Sequence, residues 1–169
     1  MEERVEIRRL NISDAENLSK QANNKKIWDN LRDYIPYPYT IENAREFIAR
    51  TEKESPALTF GILIEKDLCG VIGLVEKTDV NRLSAELGYW VGESFWGKGI
   101  ATKAISLMTD YGFHNLKLER IYSSVFDFNM ASMRVLEKNG FKKEGVLRNS
   151  VIKNDEIHDE HLYARQRNE

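Results

Sequence analysis

The sequence predicts a mixed α/β or α+β fold, in which a sheet carries helices on both faces. Three observations support this prediction. Several short segments alternate apolar with polar residues, as strands do, and others repeat apolar residues every three to four positions, as helices do. The two patterns interleave in the order β-α-α-β-β-β-α-β-α-β-β.

The first strand is predicted at VEIRRL, residues 5–10. Ser13 followed three positions later by Glu16 has the form of a capping box, which predicts a helix through about Asn23. Thr40 is a suitable N-cap for a second helix, and the segment between the two helices, which ends in the Tyr- and Pro-rich YIPYPYT, is predicted to be a loop. The apolar positions of that second helix are Ile41, Ala44, Phe47 and Ile48.

The middle of the chain contains two apolar runs, FGILI and CGVIGLV, whose short EKDL connection predicts a β-hairpin. A third strand follows at LSAELGYWV, which places Leu87 and Tyr89 on one side and Glu86 on the other. From Gly99 to about Gly112 the apolar spacing becomes helical.

The last third is predicted to contain three strands and one helix. The strands are RIYSSVF, FKKEGVLR and EIHDEHLYA. The helix runs from about Ala131 to Asn139, and Gly140 can close it at its C′ position. The last strand is expected to be exposed and able to pair across a homodimer interface.

Composition limits the classes of protein. With 169 residues, 41% of them hydrophobic, the chain is expected to form one domain over residues 1–169. The lone Cys69 cannot form a disulfide within the chain, which suits the cytoplasm. We find no signal peptide or span of about 18–20 apolar residues, so no membrane role is expected. A net charge of −2 gives no broad cationic surface for nucleic acid.

Small residues connect a predicted strand to a predicted helix at Gly97, Gly99 and Ala101. Backbone N–H groups at such a connection can bind a phosphate, although the glycines could simply permit a tight turn. Gly92 to Lys98 also matches most of a P-loop. A P-loop would need Ser or Thr at position 99 to hold Mg²⁺, so nucleotide hydrolysis is disfavoured.

The segments AELGYWV, WGKGIAT and NMASMRVLEKNGF together resemble the GNAT superfamily of N-acetyltransferases, in its RimJ/RimL-like branch. The resemblance covers nearly the whole chain, and YIPYPYTIENAREFI is similar to the substrate-side loop and helix of these enzymes. It implies a GNAT-like three-layer sandwich with a mostly antiparallel sheet. It also implies an acyltransferase that uses acetyl-coenzyme A (acetyl-CoA) and acts on an amine.

The resemblance implies that backbone N–H groups of the glycine turn bind the coenzyme A pyrophosphate, that the pantetheine lies along β-strand residues, and that one asparagine contacts the cofactor. These residues are Gly97, Lys98, Gly99, Ile100, Ala101 and Thr102 in the turn, Trp90 and Val91 in the strand, and Asn129. The usual Gln or Arg at the start of the turn is Trp96 here. Lys98 could replace its charge or be a solvated lysine.

The resemblance also implies the catalytic residues. Glu86 would be the general base, directly or through water, and Ser132 would act at the coenzyme A sulfur. The structural alternatives are a Glu86 that pairs with a cation, an Asn129 that only caps a helix, and a Ser132 that bonds locally. Leu136 stands where other branches have an acidic tyrosine.

His158 and His161 could suggest a metal site, but a strand would place them on opposite faces, so no metal is expected. No Ser-His-Asp set is evident.

The acceptor is less defined by the sequence. The branch and the low basicity of α-amines favour a protein N-terminus, with polyamines, amino acids or antibiotics as alternatives. A non-catalytic acetyl-CoA sensor is a further alternative. An aromatic segment is expected to border the acceptor site, and its residues are Trp28, Tyr34, Tyr37 and Tyr39.

Overall fold

The structure is a computed structural model that describes residues 4–169. Its strands are β1 (Val5–Arg8), β2 (Thr59–Ile64), β3 (Asp67–Glu76), β4 (Ser84–Val91), β5 (Arg120–Phe126), β6 (Lys142–Lys153) and β7 (Glu156–Gln166). Its helices are α1 (Ala15–Ala22), α2 (Lys25–Trp28), α3 (Ile41–Thr51), α4 (Ile100–His114) and α5 (Met130–Lys138).

The strands are hydrogen-bonded in the order β1-β2-β3-β4-β5-β7-β6. β4 and β5 pair in parallel, and α4 is the crossover between them. The pairs β1–β2, β2–β3, β5–β7 and β6–β7 are antiparallel. The predicted mixed, mostly antiparallel sheet is therefore confirmed, and so is the predicted order of elements apart from α2.

The chain divides into two compact units. One unit comprises the described residues up to Gly73 together with Tyr89–Leu107, and the other comprises Leu74–Gly88 and Met108–Glu169. The assignment of a single domain to residues 1–169 stays a prediction.

The first unit has an apolar core between α1, α3 and the hairpin of β2 and β3. Half-buried Phe47 and Trp90 pack against this core. Tyr39 is buried in it, and desolvation raises the pKa of the Tyr39 phenol to about 12. The buried residues of the core are Leu10, Ala15, Leu18, Ala22, Tyr39, Ala44, Ile48, Leu68 and Val71.

The prediction of a capping box at Ser13 and Glu16 is wrong, because the box is formed by Asn11 and Asp14. The Asn11 side chain accepts from the Ser13 N–H at 3.0 Å, and the Asp14 carboxylate accepts from the Asn11 N–H at 2.9 Å. Arg8 stabilises this cap by donating to both Asp14 carboxylate oxygens, at 2.8 and 2.9 Å. A 3-10 turn therefore precedes α1.

Replacing Asp14 with Asn is expected to destabilise the protein by about 1–3 kcal/mol, because it removes a cap and leaves Arg8 without its carboxylate partner. Desolvation of Asp14 opposes its ionisation, but hydrogen bonds from Arg8 and from the Asn11 N–H outweigh it and lower the pKa of Asp14. A lowered pKa stabilises the fold above the unfolded pKa, and this contribution disappears as the pH falls through the folded pKa.

Thermal unfolding measured between pH 7 and pH 2 tests this expectation. The melting temperatures of wild type and Asp14→Asn should converge towards acid. Glu16→Gln is the matched control, because exposed Glu16 pairs with exposed Lys20, and it should change stability by less than about 0.5 kcal/mol. A larger effect at Glu16 than at Asp14 would contradict the observed cap.

The second helix was predicted correctly, whereas α2 was missed. Thr40 caps α3 in a reciprocal box with Asn43. The segment predicted as a loop contains the four-residue α2, which Asn24 caps by accepting from the Lys26 N–H at 2.9 Å.

The predicted hairpin is confirmed as β2 and β3, joined by a two-residue turn at Glu65 and Lys66. Both turn residues have positive φ, 46° and 83°, which suits a right-twisted hairpin. Cys69 is fully buried in β3, and desolvation raises the pKa of its thiol to about 11. Such a thiol is poorly reactive.

The second unit is built on β5, β7 and β6. The helix predicted from about Ala131 is confirmed as α5, and Gly140 follows it with a φ of +80°. The expectation that the last strand is an exposed edge is wrong, because β7 lies between β5 and β6. The 12-residue β6 is the edge strand at this end of the sheet. The second half of β7 pairs with β5 on its other side.

Candidate active site

The connection between β4 and α4 has the geometry of an anion-binding turn. Gly97 and Gly99 have φ values of +74° and +75°, a conformation that glycine adopts without strain. A Cβ atom built at either glycine has no other atom within 4 Å, so the space beside the backbone is open.

The start of α4 supplies the donors of this turn. The first intrahelical bond runs from the Lys103 N–H to the Gly99 carbonyl at 3.1 Å. The N–H groups of Ile100, Ala101 and Thr102 precede that bond, so the helix itself offers them no acceptor. Together with the positive end of the helix dipole, they favour binding of a phosphate group.

Trp96, which stands where the family usually has Gln or Arg, has a structural role in the turn. Its indole N–H donates to the Val91 carbonyl at 2.7 Å and closes the turn back onto the end of β4. The Lys98 ammonium lies 5.7 Å from the ring centre of Phe95, in a cation–π contact. Lys98 therefore lies on the turn with its charge beside an aromatic ring.

Helix α2 is tied to this turn by contacts that the sequence analysis missed. The Asn24 side chain donates to the Glu93 carboxylate at 2.7 Å, and Lys26 forms an ion pair with the same carboxylate. The hydrogen bond from Lys26 is the main cause of a lowered pKa at Glu93. No sequence motif indicates these contacts, because they join residues almost 70 positions apart.

The two strand residues assigned to the pantetheine lie at the end of β4. Trp90 packs partly against the apolar core of the first unit, and Val91 is buried. β3 approaches them so closely that a Cβ on Gly70 would lie 2.3 Å from the Trp90 carbonyl oxygen. Gly70 is thus required by packing against β4.

The four aromatic residues expected to border the acceptor site have different environments. Tyr39 is buried in the core, whereas Tyr34 is 82% exposed. Trp28 and Tyr37 contact each other with ring centres 5.6 Å apart, and the Trp28 indole N–H donates to a backbone carbonyl at 2.9 Å. The Lys25 ammonium lies 5.9 Å from the Trp28 ring centre. Tyr39 is therefore a core residue, Tyr34 and Tyr37 are exposed, and Trp28 is half-buried.

In the second unit, Glu86 lies on β4 opposite Tyr122 of β5. Its carboxylate is about one-third exposed, and one oxygen lies 3.7 Å from the Lys77 ammonium. The structure thus shows the cation pairing that the sequence analysis gave as the structural alternative. A partly exposed carboxylate in such a pair can still accept a proton.

The parallel register between β4 and β5 covers only Ser84 to Glu86, although both strands continue. The Leu87 carbonyl instead accepts from the Ser123 hydroxyl at 3.1 Å. Gly88, the next residue, is exposed, and a Cβ there would have no atom within 4 Å. Glu86 is therefore the last β4 residue in the paired register with β5.

Asn129 and Ser132 lie at the beginning of α5. The Asn129 side-chain oxygen accepts from the Ser132 N–H at 3.2 Å, so Asn129 is the N-cap of the helix. Leu136, which occupies the position of the acidic tyrosine of other branches, is fully buried.

The histidines of HDEH have separate environments. His158 contacts Asp127, with 2.9 Å between its Nδ1 and a carboxylate oxygen, and Phe128 lies edge-on to its ring. His161 has a buried Nδ1 that has no hydrogen-bond partner among residues 4–169. Within residues 4–169, no group of three or more His, Cys, Asp or Glu side chains is placed to hold a metal ion.

The predicted site residues are thus distributed over both units. The residues assigned to the pyrophosphate and the pantetheine, from Trp90 to Thr102, lie in the first unit. Glu86, Asn129 and Ser132 lie in the second.

In the described part of the chain, no helix is long and apolar enough to cross a membrane.

Comparison with known proteins defines the class. Residues 4–142 match the family described as the acetyltransferase (GNAT) domain. The chain is 37% identical to the probable N-acetyltransferase YjcK of Bacillus subtilis (strain 168), over 95% of this chain and 92% of YjcK. The structure of Mycobacterium smegmatis RimJ in complex with CoA-disulfide has a TM-score of 0.86 and 25% identity, and covers 96% of this chain and 81% of RimJ.

The names of two similar proteins from Escherichia coli (strain K12) state the acceptor of the acetyl group. Ribosomal-protein-serine acetyltransferase is 35% identical over 64% of this chain and 60% of its own length. Spermidine N(1)-acetyltransferase is 28% identical over 85% of this chain and 75% of its own length. These similarities show that the chain is an N-acetyltransferase. The chain belongs to the GNAT acetyltransferase family, with RimJ/RimL-like relatives, and the resemblance in the sequence is confirmed.

Proposed function

We propose that this N-acetyltransferase moves an acetyl group from acetyl-CoA directly to the α-amine of a protein N-terminus, of the ribosomal-protein type, in the cytoplasm. One observation carries the proposal: Gly97 and Gly99 combine positive φ with open space at the start of the 15-residue α4. That turn directly follows the strand that bears Glu86.

The cofactor residues fit coenzyme A. The N–H groups of the turn from Gly97 to Thr102 would bind the pyrophosphate, with Lys98 supplying charge. The pantetheine would lie along Trp90 and Val91 at the end of β4, like an added strand. Asn129 uses its side-chain oxygen as an N-cap, so its amide nitrogen is the group assigned to the cofactor.

The chemistry is a direct transfer. The Glu86 carboxylate accepts a proton from the acceptor ammonium, directly or through water, and becomes a carboxylic acid. The neutral amine nitrogen forms a bond to the thioester carbonyl carbon, and the carbon–sulfur bond breaks. The second proton that the nitrogen loses ends on the sulfur, and Glu86 returns the first proton to solvent. Ser132 would donate a hydrogen bond at that sulfur. The products are an amide and free coenzyme A, with no acylated residue.

The basicity of amines favours an N-terminal acceptor. An α-amine has a reference pKa of about 7.7–8.0, so roughly a tenth of it is neutral at pH 7. A lysine-like amine with a reference pKa of about 10.4 is neutral in less than about 0.1% of molecules. A single carboxylate base suits the first. The similarity to ribosomal-protein-serine acetyltransferase supports the same choice.

A small polyamine is the second candidate acceptor, because one face of the half-buried Trp28 ring contacts an ammonium group, that of Lys25. Such a face can bind other cations. The similarity to spermidine N(1)-acetyltransferase points the same way. A non-catalytic acetyl-CoA sensor is disfavoured, since this chain has a carboxylate at position 86 and a hydroxyl at position 132.

Release of free thiol from acetyl-CoA, measured against a panel of acceptors, tests the proposal. The panel contains peptides with free and with blocked N-termini, spermidine, and an aminoglycoside. We expect turnover with free N-termini and none with blocked ones. Turnover with spermidine alone would support the second candidate. Tight acetyl-CoA binding without turnover on any acceptor would contradict the proposal and favour a sensor.

A further inference from the structure

Lys77 is held beside the start of β4, in the same unit as Glu86. It directly follows the last residue of β3, and its backbone N–H donates to the Ser84 carbonyl at 2.9 Å. This bond fixes the Lys77 backbone two residues away from Glu86 along β4.

The Lys77 side chain contacts residues on two neighbouring strands. Its ammonium lies 3.7 Å from a Glu86 oxygen and 5.6 Å from the ring centre of Tyr122. Glu86 and Tyr122 are directly opposite each other in the parallel register. Lys77 therefore links both members of one cross-strand pair.

The ammonium of Lys77 remains charged in this position. Its hydrogen bond with the Tyr122 side chain is the largest cause of a raised pKa, and the charge of Glu86 adds to it. Arg120 lies on the same ring, 5.7 Å from its centre, but both its terminal nitrogens donate to Glu144. Arg120 thus pairs with Glu144, whereas Lys77 contacts Glu86.

We propose that Lys77 is a positioning residue for Glu86, an inference that rests on the proposed function. The ammonium holds the Glu86 carboxylate in one orientation at the level of Tyr122, so the base does not have to be ordered during each turnover. As a partly exposed pair, the contact adds little to folding stability, and its effect is expected in the rate. Lys77 keeps its proton throughout, and only Glu86 gains and loses one.

A double-mutant cycle tests this role. The cycle comprises wild type, Lys77→Met, Glu86→Gln and the double variant, with the best peptide acceptor and saturating acetyl-CoA. Lys77→Met is expected to lower kcat about tenfold with little change in KM, and to have less than about a twofold effect once Glu86 is Gln. Lys77→Arg, which keeps the charge, is expected to restore most of the rate.

The control variant is Lys142→Met, which removes another lysine that pairs with a carboxylate, at 3.1 Å from Glu169. It should leave kcat unchanged. Equal losses from Lys77→Met with and without the Glu86 carboxylate, an unchanged kcat, or failure of Lys77→Arg to restore the rate would overturn the inference. If Glu86→Gln itself is fully active, the proposed function fails instead, because Glu86 is then not the base.

Discussion

Replacement of Gly99 with Glu is expected to weaken coenzyme A binding by at least about 100-fold. Gly99 has a φ of +75°, which costs any residue with a Cβ about 1–2 kcal/mol. The new side chain would enter the open space beside the turn and bring a negative charge to the first turn of α4. A phosphate and a carboxylate would then compete for the same N–H donors.

Gly140→Glu is the matched control for backbone strain. Gly140 has a φ of +80° but lies after α5, where a Cβ would contact only Arg165. Both variants should lose stability, and only the variant at position 99 should lose affinity. Titration calorimetry with coenzyme A makes the comparison. Unchanged affinity in a folded Gly99→Glu protein would show that the turn does not bind the cofactor.

Replacement of Glu86 with Gln is expected to lower kcat by about 10²–10⁴, with acetyl-CoA affinity nearly unchanged. Glutamine keeps the shape of the side chain but cannot accept a proton from the acceptor. The loss should shrink as the pH rises, because the amine then loses its proton to solvent before it binds. Steady-state rates between pH 6 and pH 9 provide the measurement.

Glu144→Gln serves as the control, since Glu144 is also a partly exposed carboxylate in an ion pair, with Arg120. It should leave kcat within about a factor of two. A Glu86→Gln loss that is absent, or that stays constant with pH, would remove Glu86 as the base and leave the binding turn as the only supported part of the mechanism.

Local patterns in the sequence predicted the fold well, and long-range contacts account for the errors. The hairpin of β2 and β3 was predicted because two apolar runs flank a short polar connection. The four-residue α2 is too short for helical periodicity to show. The capping box was predicted at the wrong residues because the ion pair between Arg8 and Asp14 cannot be read from the local sequence. Nor could the sequence show that β7 lies between β5 and β6 in the sheet.

The candidate site shows the same division. Its motif residues were predicted because a strand, a glycine turn and a helix succeed each other along the chain. The partners of the residues around the candidate site were not predicted, although pairing of Glu86 with some cation was given as an alternative. Lys77 with Glu86, Asn24 with Glu93, and Asp127 with His158 all join separate elements of the fold.

The most direct test of the account is the position of the acetyl group on the product. The protein is incubated with acetyl-CoA and one peptide that carries both a free N-terminus and an internal lysine, and the product is mapped by tandem mass spectrometry. The proposed function predicts a single acetyl group on the α-nitrogen. An acetyl group on the lysine would contradict an N-terminal acceptor, and an unmodified peptide in the presence of bound acetyl-CoA would contradict peptide acetylation altogether.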